Sequence, residues 1–201
     1  MNNSLQEYLN FANKLADEAG IISMEYFRTS LDIENKSDES PVTIADKNTE
    51  LKLRSMIEKK YPDHGILGEE FDSINPDAEF IWVIDPIDGT KSYVAGHKDF
   101  GNLISLTQNK KPIIGIINCP AHDERWVGAK NQNSTCNQQP SKTSSVTKIE
   151  DSYFFSSGLY FIEPHLRNAV DKIKHKVKYY RYGGDCYMYG MVASGLIDFV
   201  I

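Results

Sequence analysis

The chain has no apolar run long enough to cross a bilayer. Its longest, such as Ile113-Ile114-Gly115-Ile116-Ile117, falls far short of the ~20 residues a membrane helix needs. Its first residues, Met1 to Glu7, lack the basic start and apolar centre of a secretory signal. It therefore reads as soluble and cytoplasmic, with no membrane partner. Cysteine is scarce, and the odd count of 3 with no Cys-x-x-Cys pair argues against a disulfide framework or a zinc knuckle. None of the five histidines forms a His-x-x-x-His pair, so structural or surface roles are expected for them. Basic charge is also in deficit, with 22 Lys and Arg against 28 Asp and Glu, a net charge of −6. The basic residues are scattered, which excludes a nucleic-acid footprint. An acidic chain that binds phosphate must supply positive charge locally, from a metal or a helix N-terminus.

At 201 residues the chain suits one unit or two packed lobes. A domain of this size buries about 70% of its unfolded surface and needs no staple. Leu5, Tyr8, Leu9, Ala12, Leu15, Ala16, Ala19, Ile22 and Tyr26 recur at helical spacing. A polar stretch from Asn35 to Ser40 leads through Pro41 into a second helix, with Leu53, Met56 and Ile57 on one face and an end before Pro62. Short β-like runs follow at 65–68, 80–84, 103–106, 113–118 and 125–129, with a turn expected at Lys110-Lys111-Pro112. Residues 131–150 are polar and read as a loop or lobe junction. Beyond it the sequence predicts a strand at 153–156, a helix over 163–176 and a strand near 178–182. A helix over 185–194 and a strand at 197–201 complete the series. This mixture, without a regular βαβ rhythm, implies a layered α/β or α+β fold.

The most informative segment is Trp82-Val83-Ile84-Asp85-Pro86-Ile87-Asp88-Gly89-Thr90. An apolar strand runs into two carboxylates three residues apart, close enough to share a cation. The Ile87 carbonyl between them offers a neutral oxygen. Hard Mg²⁺ prefers such oxygen donors. Gly89 permits close backbone approach, and a helical turn starting there would aim its N–H groups at the same spot. An acidic turn can equally be a helix cap. Three more acidic sites share the setting, however: Glu69 in Gly68-Glu69-Glu70, Asp46 after Pro41-Val42-Thr43-Ile44-Ala45, and Asp185 after Gly183-Gly184. Four acidic sites at element junctions form a pattern that chance explains poorly.

On these residues the chain resembles the inositol monophosphatase superfamily from its first helix to its last residue. Asp85-Pro86-Ile87-Asp88-Gly89-Thr90 reproduces the central motif, and Gly68-Glu69-Glu70 and Pro41 to Asp46 match two upstream motifs. The resemblance implies an α-β-α-β-α sandwich and two or three Mg²⁺ per site. It implies that Glu69, Asp85 and the Ile87 carbonyl hold a first ion, and Asp85, Asp88 and Asp185 a second. Thr90 with Glu69 and Asp46 would orient and deprotonate the attacking water, and the N–H groups of Gly89 and Thr90 would receive phosphate oxygens. The reaction implied is in-line displacement at phosphorus without a phosphoenzyme.

Arg181-Tyr182-Gly183-Gly184-Asp185-Cys186-Tyr187, together with residues 90–96 and 124–129, resembles the histidinol-phosphate phosphatase branch. That implies hydrolysis of histidinol phosphate to histidinol in histidine biosynthesis. An amine and an imidazole call for a carboxylate and an aromatic face, for which Tyr187, Tyr93 and Glu70 are candidates; a core role for Tyr187 is equally open. Cys186 is expected to be a small buried residue, and Lys36 and Lys91 to be solvated. The alternatives are an inositol monophosphatase or broad sugar-phosphate phosphatase, and a truncated metal- and phosphate-binding protein without turnover. Relatives usually extend past the equivalent of Ile201, so a partial C-terminal lobe (151–201) is expected beside an N-terminal lobe (1–130) that carries most ligands, within one unit (1–201). A strand ending there leaves an open sheet edge, which favours a homodimer.

Overall fold

The computed structural model describes residues 3–30, 33–35, 41–158 and 162–201. Helix α1 (Asn3–Tyr26) buries Ala12, Leu15, Ala16 and Ala19 of the expected stripe, with Phe11 beside them. A short antiparallel pair, β1 (Ile33–Asn35) and β2 (Pro41–Thr43), leads into α2 (Ile44–Lys60). Leu53 and Ile57 are fully buried there, and the helix stops at Lys60, before Pro62. Lys36 lies outside the described residues.

The larger sheet has seven strands in the order β3 (Gly65–Leu67), β4 (Phe80–Asp88), β5 (Gly101–Gln108), β6 (Lys111–Cys119), β7 (Glu124–Ala129), β8 (Thr135–Cys136) and β9 (Gln139–Pro140). β3 runs parallel to β4, and every later pairing is antiparallel. Strand alternation divides the side chains. Trp82, Ile84, Ile104, Leu106, Ile114 and Ile116 pack with α1 and α2, while Leu103 and Ile117 face the other way, toward α5 (Tyr187–Ala193). The smaller sheet is parallel, in the order β11 (Tyr179–Tyr182), β10 (Tyr153–Ser156), β12 (Phe199–Val200). Helix α5 touches β6, β7 and β12, and so lies between the sheets. Helix α4 (Arg167–Lys174) sets the Lys174 ammonium over the ring of Tyr180 on β11. The layers therefore run α-β-α-β-α, as expected.

Several boundaries differ from the sequence reading, and β12 covers only Phe199–Val200 of the expected 197–201. The β5–β6 turn is Asn109-Lys110, both at positive φ (50° and 63°), a conformation that suits the twist of a two-residue hairpin. Lys111 and Pro112 therefore belong to β6, Pro112 at a register shift that spares it a ladder bond. The polar stretch 131–150 contains the hairpin β8–β9, too short and too polar to show an alternating pattern. The helix expected over 163–176 begins as a 3₁₀ turn at Pro164–Leu166, and α4 ends at Lys174. Finally, α5 starts at Tyr187, because Gly183, Gly184 and Asp185 all have positive φ (91°, 126° and 39°).

Candidate active site

Strand β4 does not end at Asp85. It continues to Asp88 through a bulge between the two aspartates, against β5. The bulge accommodates Pro86, whose missing N–H cannot join a ladder. Pro86 O accepts a bond from buried Asn102 Nδ2 at 2.6 Å. Gly89, at φ 81°, then turns the chain into α3 (Thr90–Val94). Strand end, left-handed glycine and helix start thus fall on consecutive residues, as the motif predicts.

Asp46 reaches the same place from α2. It is the third residue of that helix, not its cap. Thr43 caps the helix, and Asp46 Oδ2 accepts the Thr43 N–H at 2.8 Å and its hydroxyl at 2.6 Å, a capping box with aspartate in the usual glutamate position. Asp46 Oδ1 stands 3.5 Å from Thr90 Oγ1, which also lies 3.1 Å from the Ile87 carbonyl. Burial, first, and the charge of Glu69 push the Asp46 carboxyl above its usual range, and the bonds from Thr43 oppose that shift.

Asp85 is the most perturbed of the group. Burial raises its carboxyl, the charges of Glu69, Asp88 and Asp46 raise it further, and it is pushed up to about 8. Its Oδ1 is buried with no hydrogen-bond partner. Asp88 is raised by burial and by Asp185 and Glu69, while the Cys186 N–H, 2.7 Å from Asp88 Oδ2, holds it down. Asp185 accepts the Ser92 hydroxyl at 2.5 Å on Oδ2. A cavity of about 450 Å³ opens here, walled by Glu69, Asp88, Gly89, Thr90, Asp185 and Tyr189 among others.

The donor set fits a hard cation: carboxylates that raise one another's proton affinity, a backbone carbonyl, and a buried oxygen lacking a donor. Among the described residues, no group of three or more His, Cys, Asp or Glu side chains already stands in metal-holding arrangement. Several of the carboxylates have an oxygen engaged elsewhere, Asp46 by Thr43, Asp88 by Cys186 N–H and Asp185 by Ser92.

Some expected residues fall outside the cavity. Tyr187 stacks on His122 (centroids 4.2 Å apart) and packs edge-on to Trp126, because α5 turns its side chain toward β7; its neighbours Met188 and Tyr189 line the cavity instead. Tyr93 is buried, donating to Ser23 O at 2.7 Å. Lys91 is exposed, as expected, and also borders the cavity. The sequence-based expectation that no cysteine has an arginine six positions on is corrected: Cys119 and Arg125 have the Cys-x₅-Arg spacing, a pattern used for covalent phosphoryl transfer. Cys119 is fully buried, and Arg125 is bound to Asn118 Oδ1 and Asp17, so the pair builds no phosphate loop. Ser92 belonged to the recognised segment but was given no role, and Glu50 and Asn102 were missed altogether, since isolated polar residues inside helices and strands give no signal.

Comparison with known proteins agrees with the fold. The model of the inositol monophosphatase family matches residues 4–201. The chain is 39% identical over 199 residues to the chloroplastic bifunctional phosphatase IMPL2 of Arabidopsis thaliana, covering 98% of itself and 58% of that protein. It is 35% identical over 195 residues to the histidinol-phosphatase of Chlorobaculum parvum, covering 96% of itself and 75% of the relative. Among solved structures it is similar to an inositol monophosphatase from Zymomonas mobilis, at 38% identity and a TM-score of 0.87, covering 97% of this chain and 76% of that one. The chain belongs to the inositol monophosphatase family.

Proposed function

We propose that this protein hydrolyses a small phosphate monoester with Mg²⁺, and that histidinol phosphate is its preferred substrate. The observation that carries the reading is the convergence on Asp85. Carboxylates from α2, the β3–β4 segment and β4 act on it, its Oδ1 lacks a donor, and the Gly89-Thr90 turn follows at the end of the same strand. Glu69, Asp85, Asp88 and the Ile87 carbonyl would hold Mg²⁺. Bound there, it would supply positive charge for the phosphate and increase the acidity of the attacking water. Thr90 Oγ1 is placed to take a proton from that water and pass it to Asp46 Oδ1, whose proton affinity burial raises above that of an ordinary carboxylate. The N–H groups of Gly89 and Thr90, at the start of α3, would hold phosphate oxygens.

We infer a different role for Asp185, which the resemblance assigns to a second ion. It comes from α5's approach, is fixed by Ser92, and shares the cavity wall with Tyr189. We assign its remaining oxygen to a cationic group of the substrate, next to an aromatic ring. That pairing suits an ester bearing an amine or imidazole, and relatives named histidinol-phosphatase at 35% and 32% identity favour it. The second reading, an inositol phosphatase, draws on the Zymomonas mobilis likeness. A phosphate-release panel of histidinol phosphate, inositol 1-phosphate and sugar phosphates, with and without Mg²⁺, decides the matter. Mg²⁺-stimulated release with the highest kcat/KM on histidinol phosphate is expected, and Asp88→Asn should abolish it without unfolding the protein. Highest kcat/KM on inositol 1-phosphate would select the second reading. Phosphate binding without release would leave only a binding protein.

A further inference from the structure

Helix α2 carries a charged pair, Glu50 and Arg54, on the same stride as Asp46. Glu50 is fully buried and Arg54 is 6% exposed. Both oxygens of Glu50 are committed. Oε2 accepts the backbone N–H of Glu69 at 3.0 Å and of Glu70 at 2.8 Å; Oε1 accepts the Phe71 N–H at 3.3 Å and Arg54 Nε at 2.8 Å. Arg54 in turn donates to Asp72 O at 2.9 Å and Phe71 O at 2.8 Å. One buried ion pair therefore satisfies three successive N–H groups and two carbonyls of the segment that bears Glu69. Gly68 completes the fit, because a Cβ there would lie 2.0 Å from Glu50 Oε1.

A buried charge without partners is costly, and an ion pair repays its desolvation only where further hydrogen bonds complete it. A surface i, i+4 pair would need none of these backbone bonds. We infer that Glu50 and Arg54 are positioning residues, which set Glu69 for cation binding by fixing its backbone to the helix that also carries Asp46. This rests on the Mg²⁺ reading above. Glu50 itself has no oxygen to offer an ion, so its effect must pass through Glu69.

The test is Mn²⁺ binding, read by electron paramagnetic resonance of the free ion on the whole chain, with thermal melting alongside. Partners that orient a ligand are worth roughly 10–100-fold in metal affinity. Glu50→Gln, folded at the assay temperature, should raise the Mn²⁺ dissociation constant by that factor. A merely structural role would lower Tm and leave the affinity of the folded protein unchanged. Gly68→Ala, which keeps both charged residues but drives the carboxylate off the loop, should weaken binding similarly, and decides the matter if Glu50→Gln does not fold. In the unsubstituted protein, amides 69–71 should exchange slowly before any ion is added. Fast exchange at these amides, or wild-type affinity in a folded variant, overturns the inference and leaves the proposed function standing. No Mn²⁺ binding by the unsubstituted chain overturns both.

Discussion

Asp185 shows how much a single side chain's environment decides. Its φ of 39° lies in the left-handed region, which costs a non-glycine residue about 1 kcal/mol or more and persists only where surroundings enforce it. Those surroundings are the Ser92 hydroxyl on its Oδ2 and the next residue's N–H on Asp88. Strain held in this way aims the carboxylate along the cavity wall. Asp185→Asn keeps the shape and removes the charge. If the carboxylate meets a cationic substrate group, KM for histidinol phosphate should rise by about 10-fold, the scale of one charge-assisted hydrogen bond of ~1.5 kcal/mol. The half-saturating Mg²⁺ concentration should then stay put, whereas a rise in that concentration with KM unchanged would return Asp185 to the metal. The sequence made the residue visible through Gly183-Gly184-Asp185 but not its partner. Ser92 lies 93 positions away, and nothing in either segment specifies the pairing.

At the scale of elements, the site depends on how α5 seats against β7. Gly190 allows that seat: a Cβ there would come within 2.5 Å of the Trp126 ring, which is buried and fixed by its Nε1–H to Ser194 Oγ at 2.7 Å. Neither a rigid indole nor a helix backbone yields easily, so Gly190→Ala should overpack the interface by about 1–3 kcal/mol. Thermal melting should show a Tm lower by roughly 2–12 °C, taking 2–4 °C per kcal/mol for a chain of this size. A Tm within 1 °C of the parent, as an order-of-magnitude threshold on that scale, would mean that α5 slides freely. The elements themselves were largely legible. Periodicity marked α1 and α2 because one wet face opposes one dry face. What failed was local. Asn109-Lys110 carries no glycine to announce a left-handed turn, and the Glu50–Arg54 pair has the same sequence signature as a solvated i, i+4 pair.

Across the whole molecule, the acidic excess is concentrated where it is least comfortable. Asp85, pushed up to about 8 by burial and by Glu69, Asp88 and Asp46, binds its proton more tightly folded than unfolded, where a carboxyl titrates near ~4. Asp46 and Asp88 are shifted in the same direction. Between those limits the unfolded chain holds fewer protons than the folded one, so folding stability falls as pH rises through the window from ~4 to about 8. This is the reverse of the behaviour of salt-bridged carboxylates. A cation bound among these groups replaces the protons, so its stabilising effect should grow with pH. In metal-chelated protein Tm should decline from pH 5 toward pH 8, and Asp85→Asn should flatten the decline. Mg²⁺ at about 100 times its dissociation constant contributes ~2.7 kcal/mol. At pH 8 that corresponds to a Tm rise of roughly 5–10 °C, and the rise should be smaller at pH 5, where protons compete for the same oxygens. A Tm independent of Mg²⁺ at pH 8 would show that the gathered carboxylates bind no ion, and that their mutual repulsion serves some purpose other than catalysis.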